Sequence, residues 1–196
     1  MKLQGSNIVG SSPSRGRVEN DYYATNPDSI KALLKVEEII YPAWECACGE
    51  GHIAKHLILQ NDNVYASDLI NRGYGDTQDF LAPLKDDYKS FKKINTIITN
   101  PPFALFQEFV ERALNIAGKK VIMFGKLQAL EGVRRATYLE TTPLKTVYVF
   151  KKRQQPLRNG SNIDPLTGKK MASSTMAFAW FVWEKGYEGS PVIKWI

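Results

Sequence analysis

Cysteine and histidine are scarce in this chain: two of each in 196 residues, all between Cys46 and His56. That count excludes a disulfide framework, because Cys46 and Cys48 are too close to bridge and a chain this long needs no staple. No apolar run is long enough to cross a bilayer. Residues 1–20 are polar, with Gly5, Gly10, Gly16 and clustered serines where a secretory signal would be apolar. Internal repeats and domain linkers are also absent. The hydrophobic fraction is 43%, ordinary for a globular protein. The expectation is a single domain over residues 21–196 behind a flexible tail at 1–20, in a reducing, cytoplasmic compartment.

Charge is uneven. The net charge is +6, and residues 151–170 hold Lys151, Lys152, Arg153, Arg158, Lys169 and Lys170 against Asp164 alone. Such a segment suits phosphate, and it equally suits a solvated loop.

Apolar patterning alternates between strand-like and helix-like stretches. Strands are predicted at 43–47, 64–67, 94–99, 120–124, 146–150, 176–183 and 192–195. Helices are predicted at 27–39, 52–59, 104–117 and 127–139, and residues 71–93 read mostly as loop. Pro27 suits a first helical position, with Thr25 or Asn26 as its cap. Alternating strands and helices imply an α/β domain with a mainly parallel sheet, whose ligand site lies at the carboxyl ends of the strands. Gly49, Asp68 and Asn100 each follow a predicted strand, so they should converge.

Gly49-Glu50-Gly51-His52-Ile53-Ala54 matches G-x-G-x-x-A, a turn that lets a ligand approach the backbone and the following helix N-terminus. Asp68, nineteen residues after Gly49, can accept the hydroxyls of a ribose. A nicotinamide or flavin enzyme would show the same pattern, and so would a tight structural turn. Glu45 and Glu50 beside the turn would repel a pyrophosphate and favour the cationic S-adenosylmethionine.

Asn100-Pro101-Pro102-Phe103 is the most specific feature. The exocyclic amine of adenine is a poor nucleophile because its lone pair is delocalised into the ring. Two acceptors on its hydrogens, the Asn100 side-chain oxygen and the Pro101 carbonyl, would draw the nitrogen toward tetrahedral geometry. Proline rigidity would hold that carbonyl in place, and Phe103 offers a face for a planar substrate. The bland alternative is a strand-ending turn with a capping Asn and a core Phe.

With these residues in view, the chain resembles the amino-methyltransferases that modify adenine N6 or cytosine N4 in DNA, and more narrowly the small phage- and prophage-borne adenine enzymes. The resemblance implies a doubly wound, Rossmann-like class I methyltransferase fold: a seven-stranded, mostly parallel sheet with one antiparallel strand, found at Ala179 to Trp183. It implies S-adenosylmethionine as cofactor, DNA as partner and the cytoplasm of a bacterial host as location. Asp21 to Pro27 resembles the family's N-terminal motif, which puts Tyr23 and Thr25 against the methionine part of the cofactor. Glu45, Ala47, Cys48, Gly49 and Gly51 match the cofactor loop, Asp68 the ribose-binding acid and Leu69 its neighbour at the adenine ring. Asp79 and Phe80 match the adenine-binding pair, and Asn100 to Phe103 the catalytic motif. The family's proline pair after the N-terminal threonine is here Asn26-Pro27. No separate target-recognition domain is visible; only the basic stretch 151–175 could serve.

Other readings share parts of this pattern. RNA adenine or a protein glutamine amide would fit the same two acceptors. A non-catalytic nucleic-acid-binding relative would keep the fold. Cys46, Cys48, His52 and His56 could be read as a metal module, although C-x-C-x3-H-x3-H is tighter than usual structural zinc spacing; no metal is expected.

Overall fold

The computed structural model describes residues 23–83, 94–154, 157–158 and 176–196. The expected tail, Asp21, Lys169, Lys170 and residues 159–175 of the basic stretch lie outside them. No helix among the described residues is long and apolar enough to cross a membrane.

One mixed sheet dominates. Its strands are β2 (Ala43–Glu45), β3 (Val64–Asp68), β4 (Asp76–Thr77), β5 (Thr96–Thr99), β6 (Lys120–Lys126), β7 (Leu144–Val149), β9 (Phe178–Glu184) and β10 (Val192–Trp195). The order across the sheet is β10-β7-β9-β6-β5-β2-β3-β4. β9 runs antiparallel to both neighbours, and every other pairing is parallel. All seven predicted strands are present, with shifted bounds, but the sheet has eight. The addition is β4, inside the stretch read as loop. Its two residues are exposed and follow the positive-φ glycines Gly73 and Gly75, so no apolar alternation announces it. A second small sheet was also unforeseen: β1 (Tyr23–Ala24) pairs antiparallel with β8 (Leu157–Arg158).

Alternation along the central strands divides the core into two faces, as a doubly wound sheet requires. On β6, Val121 and Met123 join one cluster while Ile122 and Phe124 join the other. On β9, Ala179, Phe181 and Trp183 face the first cluster; Phe178, Trp180 and Val182 face the second. The first is covered by α3 (Phe106–Ile116) through Phe109, Val110 and Ala113, with Tyr138 and Leu139 of α4 (Val133–Glu140). The second is covered by α1 (Pro27–Leu33) through Ile30 and Leu33, and by α2 (Ala54–Ile58) through Leu57. Both β9 tryptophans are fully buried, and each indole N–H finds an acceptor: Ser29 O at 3.0 Å for Trp180, and Thr142 Oγ1 at 3.0 Å for Trp183. Pairing these polar tips lets the large rings contribute their full apolar burial.

Helix bounds depart from the periodicity. Asn26 is the cap of α1, accepting from Asp28 N at 3.0 Å. The helix stops at Leu33 rather than near 39; the chain then turns, and Glu37 meets Lys120 at 2.5 Å and the Tyr148 hydroxyl at 2.8 Å. The predicted helix at 127–139 is split by Gly132, whose φ of +101° ends the helical path. A 3-10 turn at Leu127–Leu130 precedes the break and α4 follows it.

Candidate active site

β2, β3 and β5 end side by side, and the segments that leave them form one cleft. About 790 Å3 of space lies within it, counted out to open solvent.

The glycine turn forms the floor. Gly49 and Gly51 adopt φ of +54° and +78°, the left-handed region that favours glycine. The turn is pinned from both sides. Gly49 N donates to Asp68 Oδ2 at 2.8 Å, and Ile70 N donates to Asp68 Oδ1 at 2.9 Å. Glu45 is 2% exposed, and its Oε2 accepts from Ala54 N at 2.6 Å at the start of α2. Burial pushes the Glu45 carboxyl well above the usual carboxylate range. Glu45 therefore anchors the turn. Glu50, which with Glu45 carried the expected charge complementarity, is exposed and stands outside the cleft wall. Glu45, Asp68 and Asp79 do line it. Gly51 is not in the wall either: a Cβ there would lie 2.4 Å from the Tyr74 ring, so this glycine seats Tyr74.

Tyr23, Thr25, Ala47, Cys48, Leu69 and Phe80 complete the expected part of the lining. Leu69 is 60% exposed. Phe80 is buried, packed edge-on to Trp44 at 5.3 Å and against Phe109 at 5.0 Å, so it ties the cleft to the core. Asp79 holds the backbone in place by accepting from Leu81 N at 2.9 Å.

Asn100 borders the same cleft, and its amide is oriented by one bond. Nδ2 donates to the Tyr23 backbone carbonyl at 2.7 Å. A carbonyl only accepts, so the NH2 must face it and Oδ1 must face away. Oδ1 is buried and has no hydrogen-bond partner among the described residues. An unmet buried acceptor of this kind costs about 1–3 kcal/mol. Pro102 lines the cleft, while Pro101 is buried behind it. Phe103 is not in the wall: its ring stacks on Tyr23 at 5.7 Å and touches Phe178 at 5.5 Å. Lys126 Nζ sits 5.0 Å from the Phe103 centroid.

Several lining residues carried no signal in the sequence. Arg72, Leu105 and Phe109 belong to no motif, although Arg72 lies only four residues past the strand-end Asp68. His52 also lines the cleft, and burial holds its imidazole below the usual value. Both thiols are buried and raised, Cys48 to about 12, and Cys48 Sγ lies 3.4 Å from Tyr74 O. His56 Nδ1 is 2.9 Å from His52 O. Among the described residues no group of His, Cys, Asp and Glu could hold a metal ion.

Of the basic segment, Lys151, Lys152 and Arg153 are exposed and follow the end of β7. Arg158 enters β8 by its backbone, opposite Tyr23.

No protein-family model matches the sequence, and no curated protein matches it. Solved structures do. A structure assigned as a class I S-adenosylmethionine-dependent methyltransferase of Listeria monocytogenes aligns with a TM-score of 0.57 at 14% identity, over 93% of this chain and 68% of that one. The methyltransferase subunit of a type I restriction-modification system from Streptococcus thermophilus aligns at 0.55 and 12% identity, over 89% of this chain and 47% of that one. A structure assigned as a hemolysin of Lactococcus lactis aligns at 0.55 and 13% identity, over 88% of this chain and 94% of that one. The chain thus spans about half the length of the modification subunit. At these identities the shared property is the fold, which is the Rossmann-like fold of class I methyltransferases.

Proposed function

We propose that this chain transfers a methyl group from S-adenosylmethionine to an exocyclic amine of a nucleic-acid base, adenine N6 in DNA. The observation that carries the reading is the Asn100 amide. It is held by Tyr23 so that Oδ1, buried at the cleft wall, is an acceptor without a donor. A buried acceptor of this kind is completed by a water, an ion or a ligand donor, and at the wall of a cleft a ligand amine can supply that donor.

The remaining wall suits the cofactor. The open backbone of the glycine turn admits close approach, and the Asp68 oxygens, each with one backbone donor, keep a lone pair apiece for ribose hydroxyls. Leu69, Asp79 and Phe80 would border the adenine ring, and Tyr23 and Thr25 the methionine part. When bound, this cofactor supplies an electrophilic methyl group. Asn100 Oδ1 accepts one hydrogen of the target amine, which pulls the nitrogen lone pair out of ring conjugation. The second acceptor would be the backbone carbonyl of Pro101, whose ring is buried behind the wall, and the surplus proton of the methylated amine leaves to water. No side chain need act as a strong base; positioning and a fixed dipole do the work.

Tritiated methyl transfer to unmethylated DNA, RNA and protein pools tests the reading. Label in DNA is expected. Label in protein alone would overturn the nucleic-acid assignment, and label in no pool would overturn the activity.

A further inference from the structure

The cofactor reading occupies only half of the site edge. Glu45 and Asp68 end β2 and β3, on one side of β5, Gly49 lies in the turn that follows β2, and Asn100 follows β5 itself. A substrate must then reach Asn100 from the other side, over β6, β9 and β7. β9 is antiparallel to both β6 and β7, so β6 and β7 end at this edge and β9 begins there.

The last residue of β6 is Lys126. The other shielded lysines among the described residues are neutralised: Lys120 by Glu37 at 2.5 Å, and Lys145 by Glu184 at 2.8 Å. Lys126 is also partly buried, yet no carboxylate among the described residues lies within ion-pair distance of it. Its ammonium rests instead over Phe103, 5.0 Å from the centroid, beside the catalytic turn. A cation–π contact of this kind orients a lysine without cancelling its charge. Two strands further on, about 10 Å at ordinary strand spacing, β7 ends and the exposed Lys151 and Lys152 follow. The Lys151 N–H donates to the Ile196 carbonyl at 2.8 Å, which ties this segment to the end of β10.

We propose that Lys126 is the phosphate contact of the target nucleotide, and that Lys126, Lys151 and Lys152 mark a track for a nucleic-acid strand across the ends of β6, β9 and β7. This rests on the nucleic-acid reading above and sharpens it. A glutamine side chain of a protein brings no anion to Lys126, whereas every nucleotide brings one. Phosphate contacts position a strand and make its binding salt-dependent.

The test uses the full chain with Lys126→Ala, Lys126→Arg and the double variant Lys151→Ala/Lys152→Ala. Binding of a fluorescent adenine-containing oligonucleotide is followed by anisotropy across a salt series, and methyl transfer to the same oligonucleotide is measured beside it. Lys126→Ala is expected to weaken oligonucleotide binding and raise its KM by about tenfold, and to lower the slope of log affinity against log salt by about one. Cofactor affinity should stay the same, Lys126→Arg should restore most of the loss, and the double variant should lower the salt slope further. An equal loss of cofactor affinity in Lys126→Ala would mark a structural role and overturn the proposal. So would unchanged oligonucleotide binding in that variant, even with wild-type methyl transfer intact. Wild-type binding that depends on Lys126 without any methyl transfer would instead overturn the catalytic reading and leave the track standing. No oligonucleotide binding at low salt would overturn the track itself.

Discussion

The Tyr23 carbonyl and the Asn100 amide meet at 2.7 Å, and this contact decides which end of the amide the cleft receives. Asn100→Ala removes the acceptor while leaving the glycine turn intact. Turnover should fall by about a hundredfold or more with cofactor affinity within about twofold of wild type. Single-turnover kinetics beside calorimetric cofactor binding checks this, and parallel losses in both would refute the role assigned to Asn100.

The same contact makes Asn100→Asp informative. An ionised aspartate would set a negative oxygen against the Tyr23 carbonyl. The protonated acid can donate there and leave its other oxygen as the acceptor. The apposed carbonyl and partial burial should raise this carboxyl's pKa. Activity of the variant relative to wild type should therefore rise as pH falls from about 8 to about 6. A pH-independent ratio would show that the amide orientation does not matter.

Asp68 is tied to the glycine turn as well as exposed to the cleft. Asp68→Ala should raise the cofactor dissociation constant about tenfold or more, and should leave the Gly49 and Ile70 N–H groups without their acceptor, costing about 1–3 kcal/mol of stability. Calorimetry and urea unfolding report the two effects separately. An unchanged cofactor affinity would remove Asp68 from the ribose site.

Gly51 tests the seat beneath Tyr74. Gly51→Ala meets both a φ of +78° and a ring atom 2.4 Å from the new Cβ, so a loss of about 1–3 kcal/mol is expected. Adding Tyr74→Ala relieves the clash but not the backbone strain, so the double variant should be more stable than the sum of the two single effects predicts. Strict additivity in urea melts would show that the ring is not the obstacle.

Glu45 links stability to pH. Burial raises its folded pKa above the unfolded value of about 4.3, so the fold favours the protonated form. The stability this contributes is fully present below the unfolded pKa and is lost as pH rises through the folded one. Glu45→Gln keeps an acceptor for Ala54 N and removes the titration. Thermal melts from about pH 5 to about pH 8 should show a shallower decline for the variant than for wild type. Parallel curves would mean that Glu45 does not titrate in this window.

Much of this architecture could be read from residues alone, because buried parallel strands declare themselves. Met176 to Trp183 is an unbroken apolar run and Thr96 to Thr99 is β-branched throughout, and Asn100-Pro101-Pro102 and Gly49-Glu50-Gly51 punctuate strand ends that must share one edge. What escaped notice was short or non-local. β4 has two exposed residues and no periodicity. β1 pairs with β8 across 135 positions, from Tyr23 to Arg158, and no local pattern encodes such a partner. Lys126 closes an apolar strand like any solvated terminal lysine, and only the packed fold sets it over Phe103. Glu50 stands outside the wall because a glycine turn projects its intervening side chain by backbone geometry, which residue identity does not reveal.

The antiparallel course of β9 has a further consequence. β7 leaves the sheet and β9 enters it at the same edge, so the 28 residues from 150 to 177 form one excursion whose two ends lie side by side. Such a cassette would be tolerant of change, because β7 and β9 hold each other in register through Val149 opposite Ala179, whatever chain joins them. The β1–β8 pair bolts that cassette to the residue whose carbonyl orients Asn100. On the function proposed above, replacing that segment would change the target while leaving cofactor affinity unaltered.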